Sequence, residues 1–147
     1  MKIISLLIIP ILLSTIEPTR LDIVTTLHCP LSRWCARVAV YEDDFLLNDW
    51  LHETPWKCFN KERETMIIPA ADASDGIFDN HLEIGLWIIH NCTSPVVGKS
   101  VVLREFITGI IAVVPLDLHY KKIFYETKIL NTGGVSEAYN SIDVYEY

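Results

Sequence analysis

The side chains with the widest chemical range in this sequence are four cysteines, Cys29, Cys35, Cys58 and Cys92, and five histidines, His28, His52, His81, His90 and His119. His28, Cys29, Cys35, His52 and Cys58 share one segment, and imidazole and thiolate are the ligands that zinc prefers. Their spacing opposes a zinc site. There is no Cys-x2-Cys pair, and "HLEIG" at 81–85 lacks the second histidine of a zincin helix. His90 and Cys92 stand two apart, on one face if the segment is a strand, which is how an imidazole would assist a thiolate nucleophile. That chemistry needs a free thiol. The carboxylates of "YEDDF" at 41–45, with Asp49 and Glu53, offer oxygens to Ca2+, but not in the spacing of a helix-loop-helix calcium loop, so a solvated acidic loop is favoured. Neither a Gly-x-Ser-x-Gly elbow nor a phosphate-cradling glycine loop occurs. The expectation is a protein with no catalytic residue, no metal and no cofactor.

Whether the thiols are free depends on the compartment. Residues 1–20 open with Lys2 and an apolar run over 3–13, shorter than the roughly 20 residues that cross a bilayer. That pattern predicts a signal peptide, cleaved beyond the small residues Ser14 and Thr15, followed by one domain over 21–147 and no stable membrane insertion. In an oxidising compartment the even cysteine count predicts two disulfides, and spacing leaves all three pairings open. Asn91-Cys92-Thr93 is then an acceptor sequon, with a glycan expected on Asn91. A net charge of -7 and the lack of any basic stripe exclude nucleic acid as a partner class.

The elements that must position these residues read as β. Segments 21–28, 37–43, 63–69, 82–90, 100–115, 123–130 and 141–147 are β-branched or alternate apolar with polar, with a break near Gly109 in the long one. In the second, Val38 and Val40 share one face and Arg37, Ala39 and Tyr41 the other. About seven or eight strands at this spacing predict an all-β, two-sheet sandwich. Leu46, Leu47, Trp50 and Leu51 suggest one helical turn on a sandwich end, and 70–80 is a turn cluster. Trp34, Trp50, Trp56 and Trp87 are candidate interface anchors, although burial is the commoner fate of a tryptophan.

Several segments in order carry a family resemblance: "LHC" at 27–29, a Val-x-Val strand running into "YEDDFLLNDWLHET" at 41–54, "HNC" at 90–92, and Val114-Pro115 followed by Tyr120. Together they resemble the nematode transthyretin-like family of small secreted β-sandwich proteins. "PWKCFNKERET" replaces the family's Gly-x-Phe hairpin, and Ser94-Pro95 stands where a further family cysteine often follows, as in a divergent member. The resemblance implies a transthyretin-like (prealbumin-like) sandwich in the extracellular region or at the cell surface. It implies a Cys29–Cys92 bond, with the added Cys35 and Cys58 bonded to each other. It also implies a non-enzymatic role, binding an extracellular or cell-surface protein or a small apolar ligand. Carriage of thyroid hormone is not implied.

Two other classes compete. An immunoglobulin-like adhesion module would use Cys35, Trp50 and Cys92 as its bridge and packed tryptophan. A hydroxyisourate hydrolase would carry a C-terminal Tyr-Arg-Gly-Ser, where this sequence reads "DVYEY", so that reading ranks last. For Asn91 the expected outcome is direct: endoglycosidase treatment of the secreted protein lowers its mass, and an unchanged mass removes the glycan.

Overall fold

A computed structural model of the chain describes residues 17–44, 48–72, 80–94 and 102–135. The leader run, Leu46, Leu47, most of the 70–80 turn cluster and the expected strand at 141–147 lie outside the described residues. The described chain is all strand and loop. Its nine strands are β1 (Thr19–His28), β2 (Trp34–Glu42), β3 (Asp49–Glu53), β4 (Lys57–Phe59), β5 (Arg63–Asp72), β6 (His81–His90), β7 (Arg104–Pro115), β8 (Tyr120–Lys128) and β9 (Gly134–Val135).

They form two sheets. The smaller has the order β5-β1-β8, with β1 antiparallel to β5 and parallel to β8. The larger has the order β3-β2-β6-β7-β9, with β4 also on β2, beside the end that β3 leaves open. Period-two alternation decides what each face buries. Leu21, Ile23 and Leu27 of β1 point inward with Met66, Ile68 and Ala70 of β5, and Ile123 of β8 completes the row beside Ile23. Facing them across the core are Trp34, Ala36, Val38 and Val40 of β2, Leu82, Ile84, Leu86 and Ile88 of β6, and Val114 of β7. Burying such a side chain stabilises by about 1.5–3 kcal/mol each, so this interface is the main favourable term of the fold.

The cysteines then pair at one end. Cys29, just past β1, is bonded to Cys92, just past β6, and this bond crosses between the sheets. Cys35 of β2 is bonded to its cross-strand neighbour Cys58 of β4 within the larger sheet. This is the pairing that the resemblance implies. With its cysteines 63 positions apart, the first bond contributes on the order of 4 kcal/mol in the chain-entropy description, and the second, with its cysteines 23 positions apart, about 3 kcal/mol.

Several expectations are corrected. Trp50 and Leu51 sit on β3, not on a helical turn, because pairing with β2 satisfies their backbone and a bulge between Val40 and Tyr41 absorbs the extra residue. β1 starts at Thr19, which is buried and donates its hydroxyl to the Leu116 carbonyl. Cys35 bonds Cys58 and not Cys92, and β1 and β2 lie in different sheets, unlike the immunoglobulin arrangement in which the first two strands share one. β7 remains one strand through Gly109, whose φ of 69° lies in the left-handed region, with register shifts against β6 on either side of Gly85. At that irregularity the Thr108 hydroxyl accepts the Leu86 N–H at 3.0 Å and mends the ladder.

Gly85 is required by packing. A Cβ built there would stand 2.2 Å from Cζ of Tyr41, whose ring reaches over the glycine from the adjacent strand. Gly85→Ala is expected to destabilise the fold by about 2 kcal/mol through overpacking, measured by urea unfolding. Tyr41→Leu in the same chain should return part of that loss; additive losses in the double variant would show that the ring is not the obstacle.

Candidate functional site

The feature of the larger sheet that packing within the core does not account for is its outer face. In β2 both faces are covered: Trp34, Ala36, Val38 and Val40 meet the core, while Ala39 and Tyr41 are buried on the opposite side. The cover is aromatic. The β3 bulge brings Trp50 opposite Tyr41, and their ring centroids lie 6.0 Å apart. Trp87 of β6 is 5.1 Å from Trp50 at a tilt of 51°, a favourable non-sandwich geometry. The Arg37 guanidinium stands over Trp56 at 5.7 Å and Trp87 at 6.0 Å, and forms an ion pair with Glu53 at 2.7 Å. Across β6 the row continues onto β7, with Ile107 beside Trp87 and Ile110 beside Gly85.

This face is covered at its centre, on β2 and β6, and open to solvent at its flanks, on β3 and β7. Trp50 is 60% exposed, Ile107 63% and Ile110 47%. The Trp87 indole N–H is buried and finds no acceptor among the described residues. Burial and the neighbouring Asp43 push the Tyr41 phenol above its usual range, while a hydrogen bond with the Gly109 backbone pulls the other way. The arrangement supplies flat aromatic area, one held cation and an unused donor. Those are means of binding.

The four tryptophans therefore divide. Trp34 is fully buried, packs on Phe59 at 4.6 Å and donates its indole N–H to the Lys61 carbonyl at 2.7 Å, so it is core. Trp50, Trp56 and Trp87 belong to the outer face. Sequence reasoning missed Arg37, Tyr41, Ile107 and Ile110 as members, and the signal was present: odd-numbered positions of 37–43 are as apolar as the even ones apart from Arg37. That pattern marks a strand covered on both sides.

The residues considered for chemistry are placed elsewhere and apart. All four cysteines are disulfide-bonded, and Cys29 and Cys35 belong to different bonds, which removes the zinc set with His28 and His52 and the Cys92 nucleophile. No group of three or more His, Cys, Asp or Glu side chains that could hold a metal ion occurs among the described residues. His28 pairs with Glu126 on the outer face of the smaller sheet and Arg63 reaches the same carboxylate at 3.5 Å; the His28 hydrogen bond foremost, and the Arg63 charge after it, hold that carboxyl below the usual carboxylate range. Glu42, expected in a solvated acidic loop, is buried at the end of β2 and accepts the Glu83 N–H at 3.3 Å. Asn91 is half-buried. Its side-chain carbonyl accepts the Cys35 N–H at 2.6 Å, while its own backbone N–H donates to the Cys35 carbonyl at 3.1 Å.

His90 is fully buried at the inner end of β6. Its Nε2 lies 3.1 Å from the Thr132 carbonyl, to which it donates when protonated there, and its Nδ1 has no partner among the described residues. Burial first, and Arg104 on the paired strand after it, hold its pKa down at about 4 despite the Thr132 contact.

A family model described as "Caenorhabditis elegans protein of unknown function (DUF870)" matches residues 24–140. That span takes in the four cysteines and the whole outer face. Uncharacterized protein B0416.7 of Caenorhabditis elegans is 30% identical over 69 residues, which cover 46% of this chain and 52% of that protein. The match thus spans about half of the relative's length. No solved structure matches the chain.

His90 generates a pH dependence of stability. It is neutral when folded and titrates near 6.5 when unfolded, so its contribution is fully present above pH 6.5 and is lost as the pH falls towards about 4. The loss amounts to on the order of 3 kcal/mol. Urea unfolding across that window should show His90→Gln with a slope shallower by this amount; parallel slopes would remove the buried neutral imidazole.

Proposed function

Because the chain belongs to the Caenorhabditis elegans family of unknown function DUF870, which brings no activity with it, we propose from structure that it is an exported, non-enzymatic transthyretin-like binding protein. Its contact surface is the outer face of the larger sheet. The single observation that carries this reading is the aromatic cluster of the outer face, in which exposed Trp50 and half-buried Trp56 and Trp87 lie over buried Tyr41, stiffened by the Arg37–Glu53 pair. Large aromatic groups and arginine dominate binding energy where they can be desolvated together. The partner class is an extracellular or cell-surface protein, or a small apolar ligand laid across the indoles.

The two disulfides support export, since such bonds persist in oxidising compartments and are rare in the cytosol. The two-sheet sandwich and the cysteine pairing support kinship with transthyretin-like proteins. An adhesion role for an immunoglobulin-like module has less support, because the strand order and the Cys35–Cys58 bond depart from that architecture.

The test uses the secreted, disulfide-intact protein and its Trp50→Ala variant, each immobilised and exposed to nematode extracellular fluid. Trp50 packs on the outer face and not in the core, so the variant should keep its fold while retention of bound material drops at least about tenfold, the effect of losing one hot-spot aromatic. Equal retention by both proteins would remove the aromatic face as the contact surface, and four free thiols in the native protein would remove export.

A further inference from the structure

We propose that the β3 flank of the outer face is a carbohydrate-binding platform, on which Trp50 stacks against one side of a neutral hexopyranose while Arg37 and Glu53 hydrogen-bond its hydroxyls. The inference rests on the reading of this face as the contact surface, and it names what the face takes: the glycan of a cell-surface glycoprotein. A pyranose ring carries a patch of C–H groups on one side and hydroxyls around its rim. Its complement is an exposed aromatic plane bordered by a donor and an acceptor.

Strand pairing builds that complement. Trp50 and Glu53 are three positions apart, and on a regular strand they would point to opposite faces. Leu51 is the extra residue of β3: Glu53 and His52 pair with Ala39 and Val40, whereas Trp50 already pairs with Tyr41. The bulge therefore turns Trp50 to the side on which Glu53 stands, the use bulges have where a side chain is re-aimed beside a site. Trp87, paired with Ala39 from β6, lies 5.1 Å from the Trp50 ring, and Tyr41 lies 6.0 Å from it on the other side. Two neighbours thus fix an indole that is still 60% exposed. Arg37, on the same face of β2, reaches Glu53 at 2.7 Å, so a guanidinium and a carboxylate stand side by side at the border of the rings.

Charge and exposure select the ligand. A cationic group finds Arg37 already over Trp56 and Trp87. An anionic one gains little from Arg37, which Glu53 neutralises, and is repelled by exposed Asp49 and by a chain of net charge -7. An apolar small molecule would be covered on one side only, whereas its sites enclose most of the ligand. A protein hot spot sits centrally, ringed by groups that exclude water. Trp50 instead lies on the terminal strand of its sheet, with Asp49, His52 and Glu53 exposed around it. A neutral sugar fits each of these conditions: its C–H side covers the indole, its rim stays wet, and adjacent hydroxyls both donate to Glu53 and accept from Arg37.

The test is a printed array of neutral and anionic oligosaccharides, probed with the full, disulfide-intact protein clustered on beads so that weak single contacts add. The expected result is signal on neutral glycans that share a terminal hexopyranose and none on heparin fragments. Trp50→Ala and Glu53→Ala should each lower it at least about tenfold. Phe124→Ala, which removes a 74% exposed ring from the other sheet, should leave it unchanged. In the unsubstituted protein, the methyl glycoside of the hexose that the array selects should shift the indole N–H resonance of Trp50 and not that of Trp34, a readout that no misfolded variant can spoil. An array without signal, stronger signal on anionic glycans, equal signal from the Trp50→Ala protein, or no shift at Trp50 would each overturn the proposal. The underlying reading fails separately. If Trp50→Ala still lowers retention from extracellular fluid stripped of glycans, the face contacts protein and only the carbohydrate assignment falls; if it lowers neither array signal nor retention, both fall.

Discussion

The constraint on which the structure depends is that one row of side chains on β1 is buried between partners that come from far along the chain. Leu21, Ile23 and Leu27 have β5 on one side, β8 on the other, and the even-numbered residues of β2 and β6 in front. β1 makes no pair with β2, the strand that follows it, so proximity in sequence does nothing for this sheet. Apolar burial holds the two layers together, and the Cys29–Cys92 bond fixes their relation at the end where β1 and β6 finish. In a domain whose net stability is on the order of 10 kcal/mol, a bond contributing roughly 4 decides whether the layers stay apposed.

Covering both faces of β2 and β6 has a second effect. A sheet with one solvated face alternates polar with apolar, whereas here the outer positions are filled by Cys35, Ala39, Tyr41, Gly85 and Ile89. No helix lies over them among the described residues; the cover is a few aromatic side chains and the stems of Arg37 and its neighbours. Such a layer is thin, and its outermost rings stay wet. The physics that hides Tyr41 leaves Trp50 exposed, which is why one set of residues serves both to complete the fold and to offer a contact surface.

How much of this was legible in the sequence follows the same logic. The strands around 21–28, 63–69 and 82–90 were readable because their apolar positions repeat every two residues or run unbroken. β3, β4 and β9 were not, because five residues or fewer carry too little pattern, and their existence depends on β2 and β7 offering an edge. Trp50 and Leu51 show the cost of reading spacing alone: separated from Leu46 and Leu47 as on a helix, they follow the strand that pairs with them. Burial of Glu42 was likewise invisible, since the Glu83 N–H that donates to its carboxylate lies on a strand forty-one residues away. The outer aromatic face needed β2, β3, β6 and β7 placed side by side, which no single window contains.

The parallel pairing of β1 with β8 also sets an order of events during synthesis. Asp22 and Tyr120, hydrogen-bonded across that pair, are 98 residues apart, and even the antiparallel partner β5 is made only after β2, β3 and β4. β1, made before every other described strand, thus waits for β5 to close its first ladder and for β8 to close its second. Until β5 emerges it is an apolar ribbon with both edges bare, and the nascent chain has most to gain at that stage from a chaperone that shields it.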